Sequence, residues 1–355
     1  MKPYNFLDRL LHRLTLQFPL VAEFSFDLDQ QTVNSNPEHI ITERHVFVSG
    51  LARSGTTILM RHFYATGAYH SLTYRDMPLV LAPNIWGKLT RFSKRTTTAM
   101  ERAHGDSIEI DMDSPEEFDE VFWRVFCGEE YIKKTYLTTH SPDSETIWKY
   151  ICYVNAVLNA KGKRASRYLC KNNNNILRLK SVRQAFPDAV ILIPFRSPLF
   201  HAESLLRQHR NFLKMQKSDS FVRLYMTWLV HHEFGQDHRP FRFETNDMSS
   251  NSAYDVDTVD YWLELWCKVY EWLEHAAPED AVFVCYEQLC SNADVWRNLM
   301  RIAQIDAIDT KCAPFHLGNR RIETAYNIDL AERASATYAR LLKRSSEALD
   351  VPLAM

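Results

Sequence analysis

The sequence predicts an α/β fold in which helices cover both faces of a central parallel sheet. Four short apolar runs are typical of buried strands: Val46–Val48, Arg167–Cys170, Val190–Phe195 and Val282–Cys285. Longer segments with helical periodicity lie between and after them: Pro115–Phe126, Glu145–Ala160, Ile176–Phe186, Pro198–Met215, Val259–His275 and Asp329–Leu349. Because a chain that returns to a parallel strand needs a crossover, strands that alternate with helices favour a parallel sheet.

We expect one domain over residues 1–355, with three additions to this sheet. Residues 1–43 form an N-terminal helical extension, residues 69–114 an insertion that covers the site, and residues 318–355 a C-terminal loop and helix. A further insertion, Gln236–Asp257, is a candidate for partial disorder. Ligands of open α/β sheets bind at the carboxyl ends of the strands. The loops that follow the first three predicted strands should therefore line the site.

The N-terminal extension has an apolar stripe. Leu7, Leu10, Leu11 and Leu14 fall on one helical face, which predicts an amphipathic docking helix. Charged residues interrupt the stretch, so we expect neither a signal peptide nor a membrane span there. No later stretch approaches the ~20 uninterrupted apolar residues that a spanning helix needs.

Composition narrows the class of partner. The chain has a net charge of −2, whereas binding to a phosphate backbone needs a strong basic patch, so nucleic acid is not expected as a partner. Its seven cysteines show no Cys-x-x-Cys pairing, which is typical of reduced thiols in a cytoplasmic protein. The His231-His232 pair falls in a predicted helix without a carboxylate or cysteine at ligand spacing, which argues against a metal site.

A glycine-bounded loop follows the first predicted strand. Gly50 and Gly55 have the spacing of a phosphate-binding loop, and an amphipathic helix begins at about Thr56. Inward-pointing amides and the positive end of the helix dipole suit an anion. The lysine that nucleotide triphosphatases place after the second glycine is replaced by Thr56, and Arg53 supplies the cation. The loop therefore predicts a P-loop-type fold that binds phosphate-like oxygens.

A second anion site is predicted at the end of the strand Val190–Phe195. Arg196 follows this strand, Ser197 is a plausible helix N-cap, and Pro198 suits the first helical position. Ser204 lies two turns along the same helical face, close enough to join Arg196 on one phosphate. A nucleotide triphosphatase would place a magnesium-binding aspartate at the end of such a strand, so Arg196 argues for a second anion and against a metal.

Taken together, these motifs resemble the sulfotransferase family, whose donor is 3′-phosphoadenosine-5′-phosphosulfate. The stretch Arg53-Ser54-Gly55-Thr56-Thr57 is similar to the family's 5′-phosphosulfate motif, and the Arg196…Ser204 spacing is similar to its 3′-phosphate motif. Tyr286-Glu287-Gln288-Leu289 looks like a segment near the nucleotide. Lys171-Asn172-Asn173 resembles the Lys-Asn-Pro segment of bacterial members, with Asn173 in place of proline.

The resemblance implies in-line transfer of a sulfuryl group to an acceptor, usually a hydroxyl, with adenosine 3′,5′-bisphosphate as the leaving group and no metal. Arg53 would stabilise the charge on the leaving oxygen, and Lys171 would contact the sulfuryl oxygens. Arg320 and Arg321 lie in a basic glycine-containing stretch that is loosely similar to the family's 3′-phosphate loop. The donor-binding residues implied are Arg53, Ser54, Gly55, Thr56, Thr57, Arg196, Ser204, Tyr286, Arg320 and Arg321.

The general base is ambiguous from the sequence. Asp76 lies about where tyrosylprotein sulfotransferases keep a catalytic glutamate, and His104 precedes a glycine in a loop. Asp106, Glu116 and Glu117 are further candidates, although the last two follow Ser114-Pro115 and also suit the start of a helix.

Two other functions remain open at this point: a P-loop kinase acting on a small molecule, and a non-catalytic nucleotide-binding module. The missing loop lysine counts against the kinase. The acceptor is not identified; a carbohydrate, a lipid, a phenol or a peptide tyrosine would each be consistent with the sequence. The oligomeric state is also open, with a homodimer as one option.

Overall fold

A computed structural model of the chain describes residues 6–33, 44–90, 100–101, 109–110, 113–162, 166–243, 252–306, 315–317, 322 and 324–353. The strands in these ranges are β1 (Val46–Val48), β2 (Met100–Glu101), β3 (Glu109–Ile110), β4 (Leu137–Thr138), β5 (Leu169–Lys171), β6 (Val190–Phe195), β7 (Phe241–Arg242) and β8 (Val282–Cys285). The α-helices are α1 (Phe6–Leu16), α2 (Pro19–Thr32), α3 (Thr56–Ala65), α4 (Pro83–Thr90), α5 (Glu120–Tyr131), α6 (Ser144–Lys161), α7 (Leu179–Ala185), α8 (Pro198–Ser218), α9 (Ser220–Trp228), α10 (Val259–Ala276), α11 (Tyr286–Ser291), α12 (Ala293–Ile302) and α13 (Ile328–Leu349).

A four-stranded parallel sheet forms the centre of the fold, in the order β5-β1-β6-β8. Its strands are the four apolar runs predicted from the sequence, although β5 begins later than predicted and includes Lys171. Val48 lies opposite both Lys171 and Leu192 in the register. The carboxyl ends of β1, β5 and β6 therefore meet at one edge, where the loops after them converge.

Both faces of this sheet are buried. Val46, Val48 and Leu192 pack into one apolar cluster with α3 and α12, whereas Phe47 and Ile191 pack into a larger cluster with α5, α6, α8 and α10. Successive strand residues point to opposite faces, so each strand contributes to both clusters. The predicted α/β architecture with helices on both faces is confirmed.

Four of the predicted helices, those at α6, α8, α10 and α13, are confirmed with small differences at their ends. The helix predicted over Pro115–Phe126 begins instead at Glu120. The reason is a tertiary contact: Pro115 forms a β-bridge with Thr73, and the amide of Glu116 donates to the carbonyl of Leu72. The segment predicted over Ile176–Phe186 divides into a 3-10 turn and α7.

The described part of the N-terminal extension forms two helices, and α1 docks through a face that differs from the predicted one. Leu10 and Leu14 are 42% and 48% exposed, so the predicted docking face is wrong for these two residues. His12 is buried instead, with its ring against Phe221 and Tyr225 of α9.

The sequence analysis expected reduced cysteines and no membrane-spanning helix, and both expectations can be compared with the described residues. Cys127, Cys152, Cys170, Cys267, Cys285 and Cys290 are all free thiols. No helix in the described ranges has both the length and the apolar character required to cross a bilayer.

Candidate active site

The loop from Gly50 to Gly55 connects β1 to α3 in a conformation that constrains its residues. Gly55 is the N-cap of α3 with φ 103°. Arg53 adopts the left-handed region with φ 70°, which is uncommon for a residue other than glycine and is found where function holds a strained backbone. A Cβ atom on Gly55 would lie 2.5 Å from Cδ2 of Tyr286, because the tyrosine ring packs directly on the loop.

Buried side chains of α8 hold the same loop. His201 donates from Nε2 to the carbonyl of Ala52 at 2.8 Å. Burial lowers the pKa of His201 to about 3, so the ring is neutral and donates from that one nitrogen. Arg53 Nε donates to Oγ of Ser204 at 3.4 Å. Ser204 therefore faces the loop arginine, whereas the sequence analysis paired it with Arg196.

Arg196 follows β6, beside Tyr286 at the end of β8. Its guanidinium carbon lies 5.7 Å from the centre of the Tyr286 ring. The Nε atom of Arg196 is buried and has no hydrogen-bond partner among the described residues. A buried charged donor without a partner is costly, so this atom marks a position suited to an anionic ligand.

Ser197 occupies the predicted N-cap position of α8, but its side chain makes no capping hydrogen bond. Its amide instead donates to Oε1 of Glu287 at 3.0 Å. A glutamate from α11 thus caps this helix and joins the ends of β6 and β8.

A network of polar side chains lies beside the loop. Lys171, which is 3% exposed, forms an ion pair with the fully buried Glu117. Asn173 donates from its backbone amide to Glu117 and from its side chain to Glu233 at 3.0 Å, and its Oδ1 accepts from the Thr56 hydroxyl at 3.4 Å. Asn173, which replaces the expected proline, therefore connects the loop to two carboxylates.

His231 belongs to this network. Its Nδ1 lies 3.7 Å from Oε2 of Glu233, and its side chain is 22% exposed. Burial acts to lower the pKa of His231, but the neighbouring carboxylate of Glu233, helped by the charge of Glu117, raises it above its usual value. Burial raises the pKa of Glu117 to about 7 even though Lys171 opposes the shift. Titratable groups with perturbed pKa values in a cavity are typical of an active site.

These side chains line one cavity, and its lining residues fall into two chemical sets, which we call the polar end and the apolar end. The polar end contains Arg53, Thr56, Thr57, Glu116, Glu117, Lys171, Asn173, His231 and Glu233. The apolar end contains Phe118, Phe212, Met215, Phe221, Val222, Tyr225, Met226, Leu229 and Phe234. Tyr74 and Ala52 complete the lining, and the hydroxyl of Tyr74 donates to Oε2 of Glu116 at 3.3 Å.

Asp76, one of the two bases favoured by the sequence, does not line this cavity. Its Oδ2 atom accepts hydrogen bonds from the amide of Thr73 at 2.7 Å and from Lys161 at 2.6 Å. It closes a capping box at a 3-10 turn, so the structure gives it a structural role and argues against Asp76 as the base. The other favoured base, His104, lies outside the described residues, as do Asp106, Arg320 and Arg321.

The insertion 69–114 contributes one described residue, Tyr74, to the cavity lining. The apolar wall comes mainly from α8, α9 and the loop after α9. Glu116 and Glu117 lie before α5 rather than in its first turn, so the explanation by helix dipole is wrong and both side chains line the cavity.

The sequence pattern did not identify His231 and Glu233 as a pair. The prediction placed His231 in a helix, but α9 ends at Trp228, and Val230 has φ 55°. Ligand atoms of Glu117, His231 and Glu233 lie within 4.8 Å of one another, so the expected absence of a carboxylate near His231 is wrong. The ammonium group of Lys171 already neutralises Glu117, which disfavours a cation there. The only indication of this pair in the local sequence was that Glu233 follows His231 by two residues.

Comparisons with known proteins assign the chain to a family. The model of the sulfotransferase family matches residues 45–239, which is more than half of the chain. Among solved structures, the sulfotransferase STF1 from Mycobacterium tuberculosis is 14% identical, with 95% of this chain and 84% of that chain covered and a TM-score of 0.51. STF9 from Mycobacterium avium is 15% identical (98% and 84% covered, TM-score 0.47), and a sulfotransferase from Alicyclobacillus acidocaldarius is 15% identical (88% and 97% covered, TM-score 0.36).

At these identities the first structural match supports the shared fold, and the family assignment depends on the match over residues 45–239. No curated protein sequence matches the chain significantly. The chain belongs to the sulfotransferase family, and its reaction is the transfer of a sulfuryl group to an acceptor.

Proposed function

We propose that this sulfotransferase takes its sulfuryl group from 3′-phosphoadenosine-5′-phosphosulfate and transfers it to the hydroxyl of an acceptor held in the cavity, with His231 as the general base. The observation that carries the proposal is the polar end of the cavity. It brings the loop side chains Arg53, Thr56 and Thr57 together with a histidine–carboxylate pair.

The donor is assigned to the loop and the two neighbouring strand ends. The amides of Ser54 to Thr57 and the start of α3 would hold the 5′-phosphosulfate. Arg196 and Ser204 would hold the 3′-phosphate, which would give the buried Nε of Arg196 a partner. Tyr286 would lie beside the nucleotide. Arg320 and Arg321 stay candidates for the 3′-phosphate.

In the transfer step, the acceptor oxygen attacks sulfur while the bond from sulfur to the 5′-phosphate oxygen breaks. Both electrons of that bond leave with adenosine 3′,5′-bisphosphate. Arg53 and Lys171 would stabilise the negative charge on the leaving oxygen and the sulfuryl oxygens. No metal is required, because these cations supply the positive charge.

The acceptor proton passes to His231. Since Nδ1 faces Glu233 at 3.7 Å, the other ring nitrogen, Nε2, is left for the acceptor hydroxyl. Glu233 would orient the ring and stabilise the imidazolium that forms, as the third member of a nucleophile–base–orienter arrangement does. Glu117 is a weaker choice because it is fully buried and both its carboxylate oxygens already accept hydrogen bonds.

The donor assignment is tested by thermal unfolding with two ligands. Adenosine 3′,5′-bisphosphate at about 100 times its Kd should stabilise the protein by about 2.7 kcal/mol, whereas ATP with Mg²⁺ should give a smaller shift. A shift with ATP and Mg²⁺ alone would favour a kinase and sink the donor assignment.

Catalysis is tested with radiolabelled donor and a broad panel of acceptors. Label should move to a hydroxyl compound and depend on His231. If the bisphosphate binds but no acceptor is labelled and no donor is consumed, the chain acts as a nucleotide-binding module.

A further inference from the structure

The two ends of the cavity differ in chemistry, and this difference bears on the acceptor. At the polar end, Asn173 connects Thr56, Glu117 and Glu233 through hydrogen bonds. The apolar end presents aromatic, methionine and aliphatic side chains. The polar lining groups are therefore joined in one network, whereas the rest of the lining offers almost no polar side-chain atom besides the hydroxyl of Tyr225.

Helix α9 forms much of the apolar wall. Phe221, Val222, Tyr225 and Met226 line the cavity, and their spacing places them on one helical face. The charged residue of this helix, Arg223, points away and pairs with Asp237 at 2.6 Å. The inner face of α9 thus carries no charge.

The neighbouring helix continues this wall. Phe212 and Met215 come from the C-terminal half of α8, and the ring of Phe212 stacks on Phe234 at 6.0 Å between centroids. Methionine adapts to ligands of different shape, and a few polar groups in a largely apolar pocket fix the orientation of the ligand.

A ligand binds this cavity more tightly when it places hydrocarbon against the wall and less tightly when it places hydroxyls there. Each buried methylene contributes about 0.8 kcal/mol, whereas each unpaired buried polar group costs about 1–3 kcal/mol. A sugar would leave several hydroxyls without partners.

We infer that the acceptor is a hydroxyl group on a hydrocarbon body, such as an alkyl phenol or a long-chain alcohol. The hydroxyl lies at the polar end beside His231, and the hydrocarbon packs against Val222, Met226 and Met215. This inference rests on the proposed function, because it assumes that sulfuryl transfer takes place in this cavity.

The test uses a series of 4-alkylphenols from ethyl to hexyl, with radiolabelled donor. The value of kcat/KM should rise about fourfold with each methylene, which corresponds to ~0.8 kcal/mol, until the wall is covered. Glucose, trehalose and a tyrosine-containing peptide should react far more slowly. A sugar or a peptide that outperforms every alkylphenol would overturn the inference while leaving sulfuryl transfer intact.

A matched pair of variants tests whether the cavity-lining face of α9 binds the hydrocarbon of the acceptor. Val222→Asn places an amide in the cavity wall, and KM for hexylphenol should rise at least tenfold. Leu224→Asn alters the same helix at a residue that is 44% exposed and does not line the cavity, so KM should stay unchanged. Unchanged stabilisation by adenosine 3′,5′-bisphosphate in both variants shows that the donor site is intact.

Direct binding measurements distinguish a wrong acceptor class from a wrong proposed function. Hexylphenol should bind to the complex of the enzyme with adenosine 3′,5′-bisphosphate more tightly than ethylphenol does, as measured by calorimetry. If the bisphosphate binds and hexylphenol does not, the acceptor class is wrong. If neither the bisphosphate nor the donor binds, the proposed function itself fails.

Discussion

Two regions of the cavity lining are built in different ways. In the first, Arg53, Thr56 and Thr57 come from one short loop bounded by two glycines. In the second, the apolar wall combines residues of α8, α9 and the segment before α5, and beside the loop His231 meets Glu117 across more than a hundred residues of sequence. Backbone geometry specifies the first region, and packing between distant elements specifies the second.

This difference explains why the motifs indicate the reaction but not the acceptor. An anion site needs inward-pointing amides and a cation, which a few consecutive residues provide. A wall for hydrocarbon needs only apolar side chains in the right place, and any protein core contains such residues. The predictions below separate the two regions, beginning with the largest effect.

Removal of the proposed base should affect turnover alone. For His231→Gln, kcat should fall by about 10²- to 10⁴-fold, while stabilisation by adenosine 3′,5′-bisphosphate stays near normal. His232→Gln is the control, because His232 is buried, does not line the cavity and hydrogen-bonds to the backbone of Asp237 at 2.9 Å. Equal losses of kcat in both variants, or none in His231→Gln, would remove His231 from this role.

A single methyl group should disrupt the loop. Gly55→Ala combines φ 103° with a Cβ placed 2.5 Å from the Tyr286 ring, so we expect the affinity for the bisphosphate to fall by at least about 100-fold, or ~2.7 kcal/mol. Gly67→Ala is a matched control, since Gly67 also has a positive φ of 72° but no neighbour within 4 Å of the new Cβ. It should lower the free energy of unfolding by about 1–2 kcal/mol and leave binding unchanged. Normal binding in Gly55→Ala would show that the loop does not hold the donor.

The second anion site can be isolated with two nucleotides. Arg196→Ala should weaken the binding of adenosine 3′,5′-bisphosphate by roughly 10- to 100-fold, because a charged hydrogen bond to the 3′-phosphate is lost. Binding of adenosine 5′-phosphosulfate, which has no 3′-phosphate, should change much less. Calorimetry with both ligands measures the difference, and equal losses would place Arg196 elsewhere.

The histidine–carboxylate pair predicts a shift in the pH profile. A base must be neutral to accept a proton, so kcat should rise with pH through the pKa of His231. Glu233 and Glu117 raise this pKa and Lys171 lowers it. Glu233→Gln removes a negative charge that raises the pKa of His231. The acidic limb of the kcat profile should therefore move to lower pH by about one unit. A limb that survives this change but vanishes in Glu117→Gln would assign the base to Glu117.

The smallest effect on turnover is expected at Asp76. Asp76→Asn removes the ion pair with Lys161, so the free energy of unfolding should fall by about 1–3 kcal/mol while kcat stays within twofold of wild type. Denaturant titration and steady-state kinetics measure the two quantities. A steep loss of kcat with unchanged stability would restore Asp76 as the base.

The sequence predicted the four strands of the sheet because uninterrupted apolar runs bounded by polar residues have few alternatives in a soluble fold. The sequence was less reliable where tertiary contacts decide where a helix begins or which of its faces is buried. The helix over residues 120–131 begins late because Pro115 pairs with Thr73, and α1 docks through His12 because α9 offers two aromatic rings there. Helical periodicity reports only that a face is apolar, not which neighbour is available to cover it.

The sequence by itself determined the sheet, the glycine-bounded loop and the order of the motifs proposed to bind anions, because each depends on residues close together in the chain. The tertiary structure decided that Asp76 is tied to Lys161, that His231 faces Glu233 beside Glu117, and that α9 completes an apolar wall. These features depend on which distant elements pack together, and a local sequence pattern carries no record of that choice.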